Sequence, residues 1–240
     1  MPAIKTDNLV KRYTDVTAVN GVSLEIPEGE VFGLLGPNGA GKTTTFNMVA
    51  GLIKPQFGRV YADNTELSGM PMHKRSLLGI GYLTQEPSIF RLLTVENNLK
   101  AVLETIYSDK YMVNEKCDEL LGKLGIAHIR KQKAILLSGG EKRRLEIARS
   151  LIREPGIMLL DEPFVGIDPI AVADIQHIIH NFKKEGMGIL ITDHNVRETL
   201  QVIDRAYIMY EGKILLSGTR DELLNSDEAR KVYLGSKFSM

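Results

Sequence analysis

Continuous apolar runs bounded by glycine, proline or acidic residues predict buried strands in this chain. The clearest of these runs cover residues 31–35, 79–83, 157–160 and 189–192. Stretches of helical character lie between them, and strands that alternate with helices form largely parallel sheets covered on both faces. The pattern therefore predicts an α/β fold with a mostly parallel core sheet.

The two ends of the chain add strands of a different kind. Residues 4–13 and 17–26 read as edge strands separated by a polar turn, and Glu211-Gly212 is a hairpin signal between 205–210 and 213–217. The two edge strands predict an antiparallel β subdomain at the edge of the core.

The strand-rich pattern is interrupted in the middle of the chain. The helical stretches found there cover residues 95–106, 113–124 and 139–153. We therefore expect a single domain over residues 1–240, with a core formed by 1–86 and 154–240 and a helical lobe inserted at about 87–153. A chain of this length is sufficient for one such domain.

Composition excludes several classes of protein. The 30 basic and 30 acidic residues balance, so the excess of Lys and Arg typical of a globally basic nucleic-acid binder is absent. No run approaches the roughly 18 apolar residues of a membrane helix, and the N-terminal residues lack a signal-peptide core. The lone Cys117 excludes an intramolecular disulfide. We expect a cytoplasmic chain that contacts a membrane only through partner subunits.

A glycine-rich loop follows the apolar run 31–35 and precedes a helix. The loop fits the pattern G-x-x-x-x-G-K-[ST] and consists of Gly36, Pro37, Asn38, Gly39, Ala40, Gly41, Lys42 and Thr43, with Thr44 next. Glycines let backbone N–H groups approach phosphates, and the helix N-terminus attracts negative charge. Lys42 then reaches the β- and γ-phosphates of ATP, and the Thr43 hydroxyl binds Mg²⁺.

Hydrolysis also needs an acid for the metal and a group that activates water. Asp161 and Glu162 end the apolar run 157–160, so Asp161 is predicted to bind Mg²⁺ and Glu162 to act as general base. His194 follows the run 189–192. A histidine alone is commonly structural, but the carboxyl ends of parallel strands are where ligands bind in such sheets. We therefore assign His194 to the γ-phosphate and the attacking water.

A second group of small residues opens the helix predicted at 139–153. Ser138, Gly139 and Gly140 at a helix N-terminus form an anion site, which would be a second phosphate site in one chain. Alternatively, Ser138 only caps the helix, with Glu141 completing a capping box. Both interpretations can hold together.

The order of these motifs resembles the ATP-binding cassette of ABC transporters, a P-loop NTPase fold, over nearly the whole chain. The resemblance implies that two cassettes pair head to tail, so that the signature serine and glycines of one close over ATP bound by the other. It further implies that Tyr13 stacks on adenine and that Asp168 crosses the dimer interface. Gln85 would sense Mg²⁺ and water and relay this to a membrane subunit.

Within that family, several segments resemble the ATPases of lipopolysaccharide exporters. They are residues 88–95, 137–144 and 191–198 and the tail Val232-Tyr233-Leu234-Gly235. The ATPases of branched-chain amino-acid importers are similar, so this activity stays an alternative. Glu141 and Thr84 depart from the family pattern, but neither is expected to contact phosphate.

The resemblance also predicts how the chain is coupled to transport. Closure and reopening of a homodimer would drive two transmembrane permease subunits docked near Gln85, Phe90 and Arg91, at the cytoplasmic face of the inner membrane. Aromatic and arginine side chains are common interface anchors, although Phe90 could instead be a core residue. A non-transport cassette is a further alternative, but the short helical block argues against it. Glu162 and His194 argue against a module that binds nucleotide without hydrolysing it.

Overall fold

The computed structural model describes residues 2–229 and 231–232, and its strands and helices follow the predicted alternation. The strands are β1 (Pro2–Tyr13), β2 (Val16–Pro27), β3 (Val31–Leu35), β4 (Phe57–Ala62), β5 (Thr65–Glu66), β6 (Ile80–Leu83), β7 (Ile157–Asp161), β8 (Gly188–Thr192), β9 (Arg205–Tyr210) and β10 (Lys213–Thr219). The helices are α1 (Lys42–Ala50), α2 (Met72–Leu77), α3 (Val95–Leu103), α4 (Lys110–Lys123), α5 (Gly139–Ser150), α6 (Pro169–Lys184), α7 (Val196–Leu200), α8 (Arg220–Asn225) and α9 (Asp227–Ala229).

The larger sheet has the strand order β10-β9-β3-β8-β7-β6. Its neighbouring strands from β9 to β6 are parallel, and β10 is antiparallel to β9. The turn between β9 and β10 has positive φ at both Glu211 (48°) and Gly212 (76°), which suits a two-residue hairpin. The predicted mostly parallel core sheet is confirmed. Because β3, β8 and β7 are interior parallel strands, their carboxyl ends open on the same edge of the sheet.

The smaller sheet has the order β2-β1-β4-β5 and is antiparallel throughout. It confirms the predicted antiparallel β edge. The short strand β5 and the helix α2 were not predicted, because two residues of strand and six of helix carry too little periodicity to be recognised.

Both faces of the larger sheet are covered. In β3, Val31 and Leu35 join a hydrophobic cluster shared with α3 to α6, whereas Phe32 and Leu34 join a second cluster with α1 and the antiparallel sheet. This alternation follows from the two-residue repeat of a strand. The phosphate-loop helix α1 and the helical block therefore pack on opposite faces of one sheet.

The helices α3, α4 and α5 lie in the chain between β6 and β7, as predicted for the inserted block. The predicted start of α4 at residue 113 was wrong. The helix begins at Lys110 because the side chain of Asp109 accepts a hydrogen bond from the backbone N–H of Tyr111 and caps it. Among the described residues, no helix is long and apolar enough to cross a membrane.

Candidate functional site

The glycine-rich loop connects β3 to the N-terminus of α1, and two of its glycines cannot be replaced without moving backbone. Gly36 has φ 145°, and a Cβ there would lie 2.2 Å from the carbonyl oxygen of Met209. Gly41 has φ 96°, and its Cβ would lie 2.3 Å from the carbonyl oxygen of Ala18. The loop is thus wedged between β2 and β9, and only glycine fits at these positions.

Lys42 begins α1 and is buried. Its Nζ donates hydrogen bonds to the carbonyl oxygens of Gly36 (2.7 Å) and Pro37 (2.9 Å), so the side chain folds over its own loop. Burial lowers the pKa of the Lys42 amine, and the negative charge of Glu162 opposes that change. An anion such as a phosphate would offset the same burial cost.

A cleft of about 280 Å³ opens above this loop. Its lining consists of Tyr13, Ala18, Asn38, Gly39, Ala40, Gly41, Lys42, Thr43, Thr44, Glu162 and His194. The structure therefore brings Tyr13, Glu162 and His194 to the phosphate loop, although they are far apart in sequence. Pro37 contributes its carbonyl oxygen to Lys42 rather than lining the cleft.

The carboxylate of Glu162 is held from two sides. Gln85 Nε2 donates to Glu162 Oε2 at 2.8 Å, and His194 Nδ1 lies 3.3 Å from Glu162 Oε1. The backbone of Glu162 has φ 47°, in the left-handed region that side chains other than glycine rarely adopt. Its N–H donates to the carbonyl oxygen of Thr192 at 2.7 Å, which ties the turn to the end of β8. Backbone strain of this kind clusters at functional sites.

Asp161 ends β7 and is only 5% exposed. Burial and, to a smaller extent, the charge of Glu162 raise the pKa of its carboxyl to about 6, and a hydrogen bond from Tyr82 opposes this rise. Burial likewise raises the pKa of the Tyr82 phenol to about 12. The site thus contains a carboxylate that is costly to ionise without a nearby cation.

The side chains predicted to bind Mg²⁺ suit that ion chemically, and of the three only Thr43 lines the cleft at the phosphate loop. The Thr43 hydroxyl, the Gln85 side-chain oxygen and the Asp161 carboxylate are all oxygen ligands, which Mg²⁺ prefers. Within the described ranges, no group of three or more His, Cys, Asp or Glu side chains could hold a metal ion. A site with one carboxylate fits Mg²⁺, which commonly combines one or two carboxylates with water and phosphate oxygens.

The predicted signature segment lies elsewhere on the surface. Ser138, Gly140 and Asp168 line a second cleft of about 280 Å³, and none of these three lines the cleft at the phosphate loop. Ser138 caps α5, and a full capping box with Glu141 is present, as the alternative interpretation expected. Gly139 is exposed at the start of the same helix. Asp168 caps α6 by accepting from the N–H groups of Ile170 and Ala171.

Sequence reasoning missed two residues that support the site. Tyr82 bonds to Asp161, and Arg143 in α5 donates to backbone carbonyls around Glu162. Arg143 lies three residues after Gly140 and four before Ile147, both of which are buried. A charged residue on the buried stripe of a helix was the signal that could have revealed it.

The segment after Gln85 forms an apolar surface. Phe90 is 47% exposed, and the exposed Leu92 and Leu93 follow it in the chain. The exposed Ile135 and Leu136 lie beside this segment, because the N–H of Ile135 donates to the carbonyl oxygen of Arg91. The interpretation of Phe90 as a core residue was wrong. Its ring is instead held from one side by the guanidinium of Arg149, 4.6 Å from the ring centroid.

Comparison with known proteins identifies a family and close relatives. A protein-family model described as "ABC transporter" matches residues 19–165. The chain is 52% identical over 232 residues to an uncharacterized ABC transporter ATP-binding protein of Rhizobium meliloti, covering 97% of this chain and 86% of that protein. It is also 51% identical to the lipopolysaccharide export system ATP-binding protein LptB of Haemophilus influenzae, with 100% of both chains covered.

Solved structures give the same result. The ADP conformation of MJ1267, an ATP-binding cassette of an ABC transporter, matches with a TM-score of 0.89 and 30% identity, covering 98% of this chain and 100% of that one. The dimeric structure of MJ0796, a bacterial ABC transporter cassette, matches with a TM-score of 0.79 and 26% identity, covering 90% of this chain and 98% of that one.

Proposed function

This chain belongs to the ABC transporter family, and on that premise we propose that it is the ATP-hydrolysing subunit of a lipopolysaccharide exporter. The observation that carries the proposal is 51% identity over the complete length of a lipopolysaccharide export ATP-binding protein. The cleft at the phosphate loop supports the same activity, because Lys42 and the held carboxylate of Glu162 line it and the buried acid Asp161 directly precedes Glu162 in the chain.

In the proposed reaction, the phosphate loop and Lys42 bind the β- and γ-phosphates of ATP. Glu162 takes a proton from water, the water oxygen bonds to the γ-phosphorus, and the bond from that phosphorus to the bridging oxygen of ADP breaks. Gln85 and His194 hold the carboxylate of Glu162 in place. Mg²⁺ bound by Thr43, Gln85 and Asp161 would neutralise charge on the phosphates, and Tyr13 would stack on adenine.

A Glu162→Gln variant tests this assignment. The amide cannot accept the proton, so ATP turnover should fall at least about a hundredfold while ATP binding persists. Turnover is measured as phosphate release, and ATP affinity by calorimetry. Tyr111→Phe serves as a control, because Tyr111 is exposed on α4. Wild-type turnover in Glu162→Gln would exclude Glu162 as the base.

We further propose that two copies pair head to tail. In the closed pair, Ser138, Gly139 and Gly140 of one copy would cover ATP on the phosphate loop of the other, with Asp168 at the interface. Two observations support this pairing: the two clefts lie on different surfaces of one chain, and a similar cassette is known as a dimer. A capping serine and a phosphate contact are compatible roles, because a helix N-terminus has several free N–H groups.

A bulky side chain at the signature serine should prevent closure. The expected result for Ser138→Tyr is loss of ATP-dependent dimerisation, measured by light scattering in a Glu162→Gln background that retains ATP. Ser150→Tyr is the comparison, because it adds the same bulk at the other end of α5. Dimerisation that is unchanged by Ser138→Tyr would rule out the shared site.

The membrane partners would dock on the apolar surface near Gln85, Phe90 and Arg91, at the cytoplasmic face of the inner membrane. Two permease subunits are expected to co-purify with the wild-type chain and to be lost with Phe90→Ala. Leu52→Ala is the control, since Leu52 is similarly exposed on another surface. Co-purification of an amino-acid permease would instead support the importer alternative.

We retain the division of the chain into a nucleotide-binding core and a helical lobe at about 87–153. In the described residues, the helices of that block share a hydrophobic cluster with the core sheet. The tail segment that contributed to the resemblance, Tyr233-Leu234-Gly235, lies outside the described residues.

A further inference from the structure

We propose that Arg143 is a positioning residue for ATP hydrolysis, because it fixes the backbone turn that presents Glu162 and connects this turn to α5, the helix that Ser138 caps. The inference rests on the proposed function, because it takes Glu162 as the catalytic base. Arg143 itself does not line the cleft at the phosphate loop. Its effect on the reaction would therefore be transmitted through the backbone it holds.

The guanidinium of Arg143 bonds to consecutive peptides of the turn. Nη2 donates to the carbonyl oxygens of Asp161 and Glu162, both at 3.0 Å, and Nε donates to that of Pro163 at 3.2 Å. Nη1 donates to the carbonyl oxygen of Thr84 at 2.9 Å. The planar fork of arginine is suited to hold several carbonyls at fixed directions, which a lysine amine cannot reproduce.

These contacts join the two segments whose side chains meet at the reactive carboxylate. Thr84 directly precedes Gln85, whose amide donates to the carboxylate of Glu162. Arg143 thus holds the backbone at or next to both residues that form this hydrogen bond. Without the guanidinium of Arg143 both segments would be free to move. The Glu162 carboxylate and the Gln85 amide would then shift together or separate.

The turn needs such support because of its conformation. Glu162 has φ 47°, and a residue with a side chain keeps a left-handed conformation only where its surroundings hold it. The N–H of Glu162 is held by Thr192 and its carbonyl oxygen by Arg143. A displacement of a reacting group by about 1 Å can reduce a rate about a hundredfold.

The charge of Arg143 is paired inside the protein. Glu146, one helical turn later in α5, lies 3.0 Å away, and the two side chains are only 6% and 5% exposed. A buried ion pair is commonly no more stable than apolar residues of the same volume. A geometric role for the fork gives a reason for keeping this pair in the interior.

Arg143 also connects the turn to the second cleft. It is five residues from Ser138, within the same helix α5 that Ser138 caps. Because a helix moves as a rigid element over so short a distance, a displacement of the signature segment would displace the guanidinium and the turn with it. Contact between Ser138 and a second copy would then shift the turn that carries Glu162 in the same chain.

The test compares Arg143→Lys with Arg75→Lys in the full-length chain. Arg75 is a matched control, because it is also buried and donates to the carbonyl oxygens of Met48 and Val49, in the last turn of α1, and of Leu67, which follows β5. We expect Arg143→Lys to lower kcat at saturating MgATP about tenfold or more, with the Kd for ATP within about twofold of the wild type. Arg75→Lys should lower the melting temperature and leave kcat unchanged.

Three results would overturn the inference. They are a wild-type kcat in Arg143→Lys, an equal loss of kcat in both variants, and a loss explained by weaker ATP binding. If Arg143→Lys does not fold, the pair Arg143→Met with Glu146→Leu, which removes both buried charges, decides by the same criteria. Glu162→Gln separates the two proposals. Wild-type turnover in Glu162→Gln refutes the proposed base. An inactive Glu162→Gln together with a wild-type kcat in Arg143→Lys refutes only the positioning role of Arg143.

Discussion

The Asp161→Asn variant is expected to be more stable than the wild-type chain at pH 8 in the absence of nucleotide, although it should lose Mg²⁺-dependent hydrolysis. The reason is the burial of this carboxyl at the end of β7, where only 5% of the residue is exposed. An isosteric amide keeps the shape and can still accept a hydrogen bond from Tyr82. It removes the charge that the folded protein must hold in its interior.

The sign and size of the effect follow from the pKa of Asp161, which burial raises from 3.8 to about 6. Between these values the unfolded chain ionises before the folded one, so the free energy of unfolding falls as pH rises through this window. Above pH 6 the full cost is present, about 3 kcal/mol at most. Below pH 3.8 both states are protonated and the cost vanishes. For a chain of this size, the melting temperature of Asp161→Asn should exceed that of the wild type by about 5–10 °C at pH 8.

Scanning calorimetry at pH 8 and pH 4 measures both the gain and its pH dependence. Asp118→Asn is the control, because Asp118 is exposed beside Arg130 and should show no comparable gain. Addition of MgATP should raise the melting temperature of the wild type more than that of Asp161→Asn, since a ligand stabilises the form that binds it better. Our account of Asp161 fails if the variant is less stable than the wild type at pH 8, or if its advantage is the same at pH 4.

Other substitutions and reactions give independent tests. Gly41→Ala should weaken ATP binding by at least about tenfold, measured by calorimetry. The new Cβ would lie 2.3 Å from the carbonyl oxygen of Ala18, so the loop would shift and lose about one charge-assisted hydrogen bond to phosphate. Wild-type affinity in this variant would contradict the prediction. Gly140→Ala should lower the free energy of unfolding by about 1–3 kcal/mol in urea titrations, because its Cβ would lie 2.6 Å from the Cβ of Ala171, and an unchanged midpoint would show that α5 and α6 can separate without cost. Burial raises the pKa of the Cys117 thiol to about 11, so roughly one molecule in a thousand carries a thiolate at pH 8; Cys117 should react with a thiol reagent only on unfolding, and fast labelling of the folded chain would disprove this.

Two residues of the proposed site lower the stability of the folded protein at positions where the proposed function requires them. Asp161 is placed where its charge destabilises the nucleotide-free protein, and Glu162 adopts a backbone conformation that its side chain disfavours. Both features lie at the carboxyl end of β7, where Mg²⁺ and phosphate would bind. Sites of this kind commonly gain stability when a functional group is removed.

The strands and the phosphate loop could be predicted from the sequence because their signals are local. A continuous apolar run is sufficient to indicate a buried strand, and the spacing of Gly36, Gly41 and Lys42 specifies a phosphate loop before any fold is known. The capping box of Ser138 and Glu141 is likewise specified by a pattern of four consecutive residues. Elements with weaker local signals, such as β5 and α2, were missed.

Contacts between distant segments were decided only by the tertiary structure. Glu162 meets Gln85 across 77 residues because β6 and β7 are adjacent parallel strands, and it meets His194 because β8 lies on the other side of β7. No periodicity in the sequence specifies that strand order, so the sequence could name these three residues but not their hydrogen bonds. The same holds for Arg143, whose type and position in a helix are local facts, whereas its burial against the turn of Glu162 depends on how α5 packs against the sheet.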